Sequence, residues 1–346
     1  MDGLFEWGWQ RARENQLREF PDSRPARIIT ISGSRFLAMS ATGPLSGPLR
    51  FADGPASTWL AVGDWVALSP ENRIDAILPR TSLLSRKVAG LLLQEQLLAA
   101  NVDYGFVLQG LDGDFNPRRL ERTVAMIYAG RVTPIVILTK EDRATHLEES
   151  LALVRAALPS VMVFSICAPE GRGIDRVRAL LSQGMTGVFL GSSGSGKSTL
   201  INALLGTQQQ RTGEVREDDS RGRHTTTARR LFTLPGSGMV IDTPGMRELQ
   251  LWDAQEGVAA TFPEIEELGK ECHFRDCRHE NEPLCAVTRA VEEGRLARDS
   301  WLSFQKLRRE AESVAERQRL HGKDSARMRR LGKEMKSISR RKRPDW

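Results

Sequence analysis

The sequence predicts a multidomain protein: a small β-barrel at the N-terminus, a central α/β domain on a parallel sheet, and a mainly helical C-terminal domain. Three observations carry this expectation. Short β-rich runs broken by Gly, Pro and Ser fill residues 27–79. From residue 101, continuous apolar runs alternate with amphipathic helical stretches, the pattern of a parallel sheet covered on both faces. Beyond residue 250, helical segments surround a Cys/His cluster and end in a basic tail. These changes of texture set expected boundaries at 1–85, 86–250 and 251–346.

Composition sets the outer limits. The chain has 346 residues, 40% of them hydrophobic and 27% charged, enough for two or three separate cores. No stretch reaches the roughly 18 uninterrupted apolar residues of a membrane span. The first residues, with Asp2, Glu6 and Arg11 around Trp7 and Trp9, lack the order of a secretory signal. A soluble, cytoplasmic monomer with no membrane partner is the expectation. Charge is uneven: residues 301–346 carry 15 Lys/Arg against 6 Asp/Glu, a local +9, whereas the whole chain is +6, leaving −3 for the first 300 residues.

In the N-terminal region, Arg27–Ile31, Phe36–Ser40, Asp64–Leu68 and Ile74–Leu78 read as short strands, with Gly43-Pro44 and Gly47-Pro48 as turns. About five such strands in about 50 residues fit a small closed barrel. Gly63-Asp64-Trp65-Val66 reads as the turn and strand start of an OB-type barrel; an SH3-like barrel is the alternative. The central region alternates strand and helix: Val102–Leu108, Pro117–Ala129, Pro134–Leu138, Leu147–Ala157, Val161–Ser165 and Gly187–Leu190. Ser198–Leu205 reads as the next helix, residues 206–230 as a mobile polar loop, and Val240-Ile241-Asp242 as the end of a buried strand.

Gly191-Ser192-Ser193-Gly194-Ser195-Gly196-Lys197-Ser198, followed by Thr199, fits G-x-x-x-x-G-K-S between an apolar strand and a helix. Such a loop turns its amide N–H groups toward phosphates at a helix N-terminus. Lys197 is expected on the β- and γ-phosphates and Ser198 on Mg²⁺. Asp242-Thr243-Pro244-Gly245 matches D-x-x-G: Asp242 would meet Mg²⁺ through water, and the Gly245 amide would sense the γ-phosphate. Thr139-Lys140-Glu141-Asp142 follows a strand. The Asp142 carboxylate can accept from N1–H and N2–H of guanine, a pair of donors that adenine lacks, while the Lys140 stem packs on the base. Thr139 stands where Asn is usual, so the reading leaves this loop unbraced. Ser165-Ile166-Cys167 resembles a base-contacting Ser-Ala loop, with Ser165 as the contact and Cys167 as a small buried residue.

Gly222-Arg223-His224-Thr225-Thr226-Thr227 lies where a first switch belongs. Thr226 or Thr225 would complete the Mg²⁺ shell, with Thr226 preferred, and His224 is a candidate for catalysis. Met246 stands where Ras-type enzymes carry a water-orienting Gln; a thioether cannot orient water, so intrinsic hydrolysis is expected to be slow. The base-reading motif precedes the phosphate loop, whereas Ras-like enzymes have the reverse order. That order resembles a circularly permuted GTPase.

Cys272-x₄-Cys277-x-His279-x₅-Cys285 offers three thiolates and an imidazole within 14 residues, a full tetrahedral set for one structural Zn²⁺. Arg275, Arg278 and Arg289 flank it. The tail, with Arg327, Arg329, Arg330, Lys333, Lys336 and Arg340–Arg343, is dense enough to hold nucleic acid.

Together, the barrel, the permuted motifs, Gly222–Thr227, Asp242–Glu248 and the Cys/His knuckle resemble the RsgA (YjeQ) family over about residues 25–310. The resemblance implies an N-terminal OB-fold, a central circularly permuted P-loop GTPase domain and a C-terminal zinc domain. It also implies GTP hydrolysis in late maturation of the small ribosomal subunit, contact with its rRNA, and stimulation by that subunit. Two other readings stand beside it: an RNA-binding zinc protein whose nucleotide site does not turn over, and a P-loop ATPase or kinase of another class.

Overall fold

The structure, a computed structural model, describes residues 2–51, 54–55, 60–88, 95–112, 115–206, 229–243, 252 and 254–341, with backbone only at 2, 50, 51, 54, 55 and 321–341. The N-terminal region begins with 3₁₀ turns and the short helix α1 (Glu14–Leu17), then β1 (Arg24–Ser32), β2 (Arg35–Ser40), β3 (Gly43–Pro48), β4 (Arg50–Phe51), β5 (Gly54–Pro55), β6 (Trp65–Leu68) and β7 (Ile74–Ile77). Strand β6 is buried at all four positions because it is covered twice. Val66 and Leu68 face a core of Ile28, Phe36 and Ile74, while Trp65 and Ala67 meet Leu4, Trp9 and Leu17 of the leading segment. Asp64, fully buried beside it, is paired to Arg80 Nε at 2.7 Å and accepts from Ala61 N at 2.7 Å.

A hairpin follows, β8 (Leu83–Lys87) with β9 (Glu95–Ala100). The boundary expected after residue 85 falls inside β8. The central region then runs β10 (Tyr104–Gly110), α2 (Pro117–Ala129), β11 (Thr133–Thr139), α3 (Leu147–Ala157), β12 (Met162–Ser165), α4 (Ile174–Leu180), β13 (Thr186–Leu190), α5 (Lys197–Leu205), β14 (Arg230–Thr233) and β15 (Met239–Asp242). Helix α2 starts where Asn116 accepts from Arg119 N at 3.3 Å and Pro117 occupies the first turn. Strands β12, β11, β10, β13 and β15 are parallel neighbours in that order; β14 runs antiparallel to β15. Nearly every residue of β10, β11 and β13 is buried, as strands covered by helices on both faces require.

Two links weld the N-terminal strands to this sheet. Thr30 of β1 pairs with Arg230 of β14. The buried Arg27 guanidinium donates to Asn101 O at 2.9 Å and Thr186 Oγ1 at 2.9 Å. Burial holds its pKa down to about 10, partly offset by Asp103. The described part of the sheet is thus continuous from β12 through the N-terminal strands.

The C-terminal region contains α6 (Gln255–Thr261), α7 (Pro263–Gly269), α8 (Ala286–Glu292) and the long α9 (Arg298–Arg341). Helix α6 lies directly on α2. A Cβ on Gly257 would fall 2.0 Å from Ala125 O, so only glycine permits this approach. Arg122 of α2 also pairs with Glu310 of α9 at 2.7 Å. The C-terminal helices therefore share a core with the parallel sheet: Phe262, Ile265, Val287 and Phe304 join Val124, Val136 and Leu190 in one cluster.

Candidate functional site

The carboxyl ends of the parallel strands gather the motifs on one edge. Thr139 ends β11, Ser165 ends β12, Leu190 ends β13 and Asp242 ends β15. Sequence order reverses between β10 and β13, and the crevice at such a point is where open α/β sheets bind ligands.

Helix α5 begins at Lys197 with Gly196 as its cap at φ +87, a conformation that favours glycine. Lys197 Nζ donates to the carbonyl oxygens of Gly191 at 2.6 Å and Ser192 at 2.8 Å, closing the loop Gly191–Gly196 on itself. Burial lowers the Lys197 pKa, and Asp242 opposes that shift. Register places Asp242 opposite Phe189, and Thr243 Oγ1 donates to Phe189 O at 2.8 Å, so the end of β15 is fastened to the strand that feeds the loop. Ser192, Ser193, Gly194, Ser195, Ser198 and Thr199 occupy the loop and the first turn of α5. Gly245, His224, Thr225, Thr226 and Met246 lie outside the described residues.

The segment Thr139–Asp142 makes two bonds that the sequence does not signal. Thr139 is buried, and its hydroxyl donates to Ser195 O at 2.8 Å. The loop that Thr139 was expected to leave unbraced is therefore braced, by a hydroxyl across to the phosphate loop. Thr139→Ala is expected to weaken labelled-GDP binding about tenfold in a fluorescence titration, while Thr139→Ser retains it. Second, Cys167, buried and two residues beyond Ser165, reaches Asp142: its Sγ donates to Oδ1 at 3.2 Å, while Arg143 Nε stands 3.9 Å from Oδ2. Ser165 itself sits within the sheet opposite Leu138. Lys140 adopts φ +60 and its ammonium is paired with Asp112.

The cysteine cluster is assembled by the turns between α7 and α8. The ligand atoms of Cys272, Cys277, His279 and Cys285 all lie within 4.8 Å of one another. His279 Nδ1 is 3.5 Å from both Cys272 Sγ and Cys285 Sγ, and those two sulfurs are 3.9 Å apart. A tetrahedral zinc site has S···N edges of about 3.6 Å and S···S edges of about 3.8 Å, given its usual bond lengths. The donor set fits one metal ion. Burial first, then the bonds to Cys285 and Cys272, push Cys277 up to about 12. Burial is the largest influence on Cys285 and opposes its ionisation, but the hydrogen bonds from Thr288, Cys277 and Val287 N together outweigh it and draw that thiol down. Burial and then Arg308 keep His279 below its usual value, in the neutral form that ligates. The knuckle is held to α9 through His279 O, which accepts from Trp301 Nε1 at 3.0 Å and Gln305 Nε2 at 2.9 Å.

The sequence profile of the RsgA GTPase family matches residues 77–252. A relative from Opitutus terrae named small ribosomal subunit biogenesis GTPase RsgA is 43% identical over 334 residues, covering 91% of each chain. The chain belongs to the RsgA GTPase family. A second such relative, RsgA 2 of Vibrio parahaemolyticus, is 40% identical over 309 residues, 89% of this chain and 85% of its own. YjeQ from Thermotoga maritima superposes with a TM-score of 0.62 at 22% identity, covering 84% of this chain and 98% of its own. YloQ, described as a circularly permuted GTPase, gives 0.59 at 22%, covering 84% and 96%. The fold is thus the permuted GTPase fold of the RsgA family, and the protein is a GTPase. An ABC transporter profile also matches residues 174–340, a span that includes the phosphate loop but leaves out Thr139–Asp142.

Five contributors escaped the sequence reading: the hydroxyl of Thr139 as a brace, the thiol of Cys167 as a donor to Asp142, Asp112 as the partner of Lys140, and Trp301 and Gln305 as supports of the knuckle. Only topology signals Cys167, because neighbouring parallel strands bring their trailing loops together.

Proposed function

We propose that this chain is a GTP-hydrolysing assembly factor that acts late in maturation of the small ribosomal subunit. The observation that carries the reading is the convergence of Thr139–Asp142, Gly191–Ser198 and Asp242 on one strand-end crevice, in a chain whose relatives bear that name. Asp142 reads guanine, with the Lys140 stem on the base plane. Lys197 and the loop amides take the phosphates. Ser198, Asp242 and Thr226 would hold Mg²⁺, which supplies charge neutralisation at the β- and γ-phosphates. Gly245 senses the γ-phosphate, and His224 or the ribosomal subunit compensates for Met246. Cys272, Cys277, His279 and Cys285 hold one structural Zn²⁺.

The N-terminal strands form the OB-type barrel, the segment through β15 the GTPase domain, and the remainder the zinc domain with its basic helix. Barrel, knuckle and helix grip rRNA. The protein works as a cytoplasmic monomer; among the described residues no helix is long and apolar enough to cross a membrane. Co-sedimentation with purified small subunits tests the partner. Retention is expected with a non-hydrolysable GTP analogue and weaker retention with GDP; no retention in either state would remove the ribosomal assignment.

A further inference from the structure

We propose that a groove opposite the nucleotide crevice holds two successive unstacked nucleotides of single-stranded RNA, with their linking phosphate on Arg131. The inference rests on the rRNA partner of the proposed function and gives it a contact point. Two adjoining cavities of about 390 and 300 Å³ form the groove, each in the size range of small-ligand sites. They share Thr81, Ser82 and Arg131. The smaller is also lined by Tyr104, Thr133 and Met185, at or beside the amino ends of β10, β11 and β13. The seven residues of β10 put it about 20 Å from the crevice at the carboxyl ends.

The larger cavity forms where the β8–β9 hairpin docks on the last turn of α2. Leu83 N donates to Gly130 O at 3.0 Å, and a Cβ on Gly130 would fall 2.6 Å from Leu84 Cδ2 and 2.7 Å from Leu83 O. Leu83, Met126 and Ala129 give an apolar lining, and Trp252 completes it two residues before Ala254, the buried cap of α6. Tyr104 supplies a second ring in the smaller cavity. Aromatic rings on apolar walls suit unpaired bases, because every base has a face to stack.

Charge selects a phosphate between the two rings. The carboxylates on the lining are engaged: Asp103 accepts from Thr186 N at 2.7 Å, and Glu95 stands opposite Lys87 in the hairpin register. Arg80 is held by the buried Asp64 at 2.7 Å. Among the described residues Arg131 pairs with no carboxylate. It is exposed and adopts φ +58 directly after Gly130, a left-handed position past a helix end that glycine normally fills. Strained backbone of this kind clusters at functional sites. Here it sets a free guanidinium on the wall common to both cavities, where a phosphate joining two seated bases would lie.

The test titrates the full chain, saturated with GDP to block the guanine site, with short oligoribonucleotides carrying a central 2-aminopurine. Quenching of that base reports stacking, and repeating the titration at several salt concentrations reports phosphate contacts. Trp252→Ala should remove most of the quenching and weaken binding about tenfold, while Trp252→Phe retains affinity. Arg131→Gly should weaken binding about fivefold and lower the salt slope by about 0.7. The same change should raise the thermal midpoint by about two degrees, because glycine relieves the left-handed strain; a residue kept for packing would lower it. The dinucleotide ApA should displace the oligonucleotide better than AMP does. Unchanged quenching in Trp252→Ala, or an unchanged salt slope in Arg131→Gly, overturns the proposal. Displacement by AMP as effective as by ApA also overturns it, making the groove a site for free nucleotides. The rRNA reading is judged separately by co-sedimentation: retention on small subunits with neutral groove variants leaves that reading intact and removes only the groove.

Discussion

Asp142→Asn is expected to cost GTP hydrolysis on the order of 10³-fold in kcat/KM at fixed protein concentration, and to make xanthosine triphosphate the preferred substrate. A carboxylate accepts twice, from N1–H and N2–H. An amide presents one acceptor and one donor edge, so it meets guanine N2–H with a hydrogen of its own or leaves a bond unmade. Xanthine carries an oxygen at that position and restores the match. The effect is large because the unpaired group lies in a crevice bounded by Cys167 and the phosphate-loop side of β11. Competition between the two nucleotides in a phosphate-release assay measures it. Equal use of ATP by the unaltered protein would move the chain to another class of P-loop enzyme.

The second large effect concerns the knuckle. Purified protein is expected to contain about one zinc per chain, and Cys285→Ser is expected to lose it and to melt the C-terminal helices several degrees earlier. Cys285 is buried, caps α8 by accepting from Thr288 N, and stands 3.9 Å from Cys272 Sγ. With Cys277 resisting ionisation, the thiols cannot share this space as a set of anions without a cation among them. Because His279 O is the acceptor for Trp301 and Gln305, loss of the ion should propagate into α9 and its contact with α2. Elemental analysis and calorimetry check both parts. A metal-free protein of unchanged stability would make the cluster a set of reduced cysteines.

Much of this architecture is legible because strong local rules agree with tertiary structure. Pro117–Ala129 and Leu147–Ala157 were bounded correctly from helix period and, for the first, from Asn116-Pro117. The parallel strands of the central sheet are legible to within two residues because burial on both faces leaves unbroken apolar runs, whereas the antiparallel β14 was not read as a strand. The phosphate loop and the knuckle are legible because each packs its chemistry into one short segment. The brace from Thr139 and the bond from Cys167 to Asp142 were not legible for the opposite reason. Their partners, Ser195 and Asp142, are 56 and 25 residues away in sequence, and no local pattern encodes a bond across strand ends. The β8–β9 hairpin was missed as well; it docks on α2 through Leu83 N to Gly130 O, and in sequence Gln94-Glu95-Gln96 interrupts the leucines on either side, leaving no clear period.

The C-terminal helices rest on α2 rather than hanging from a tether, and Asp242 lies about 30 residues before Cys272. Nucleotide state and rRNA contact are therefore expected to be coupled through a shared core. The most direct measurement is steady-state GTP hydrolysis by the full chain, alone and with purified small ribosomal subunits. The account predicts slow turnover alone, because Met246 cannot orient water, and acceleration by an order of magnitude or more with small subunits but not with large ones. The same rate in all three conditions would contradict it.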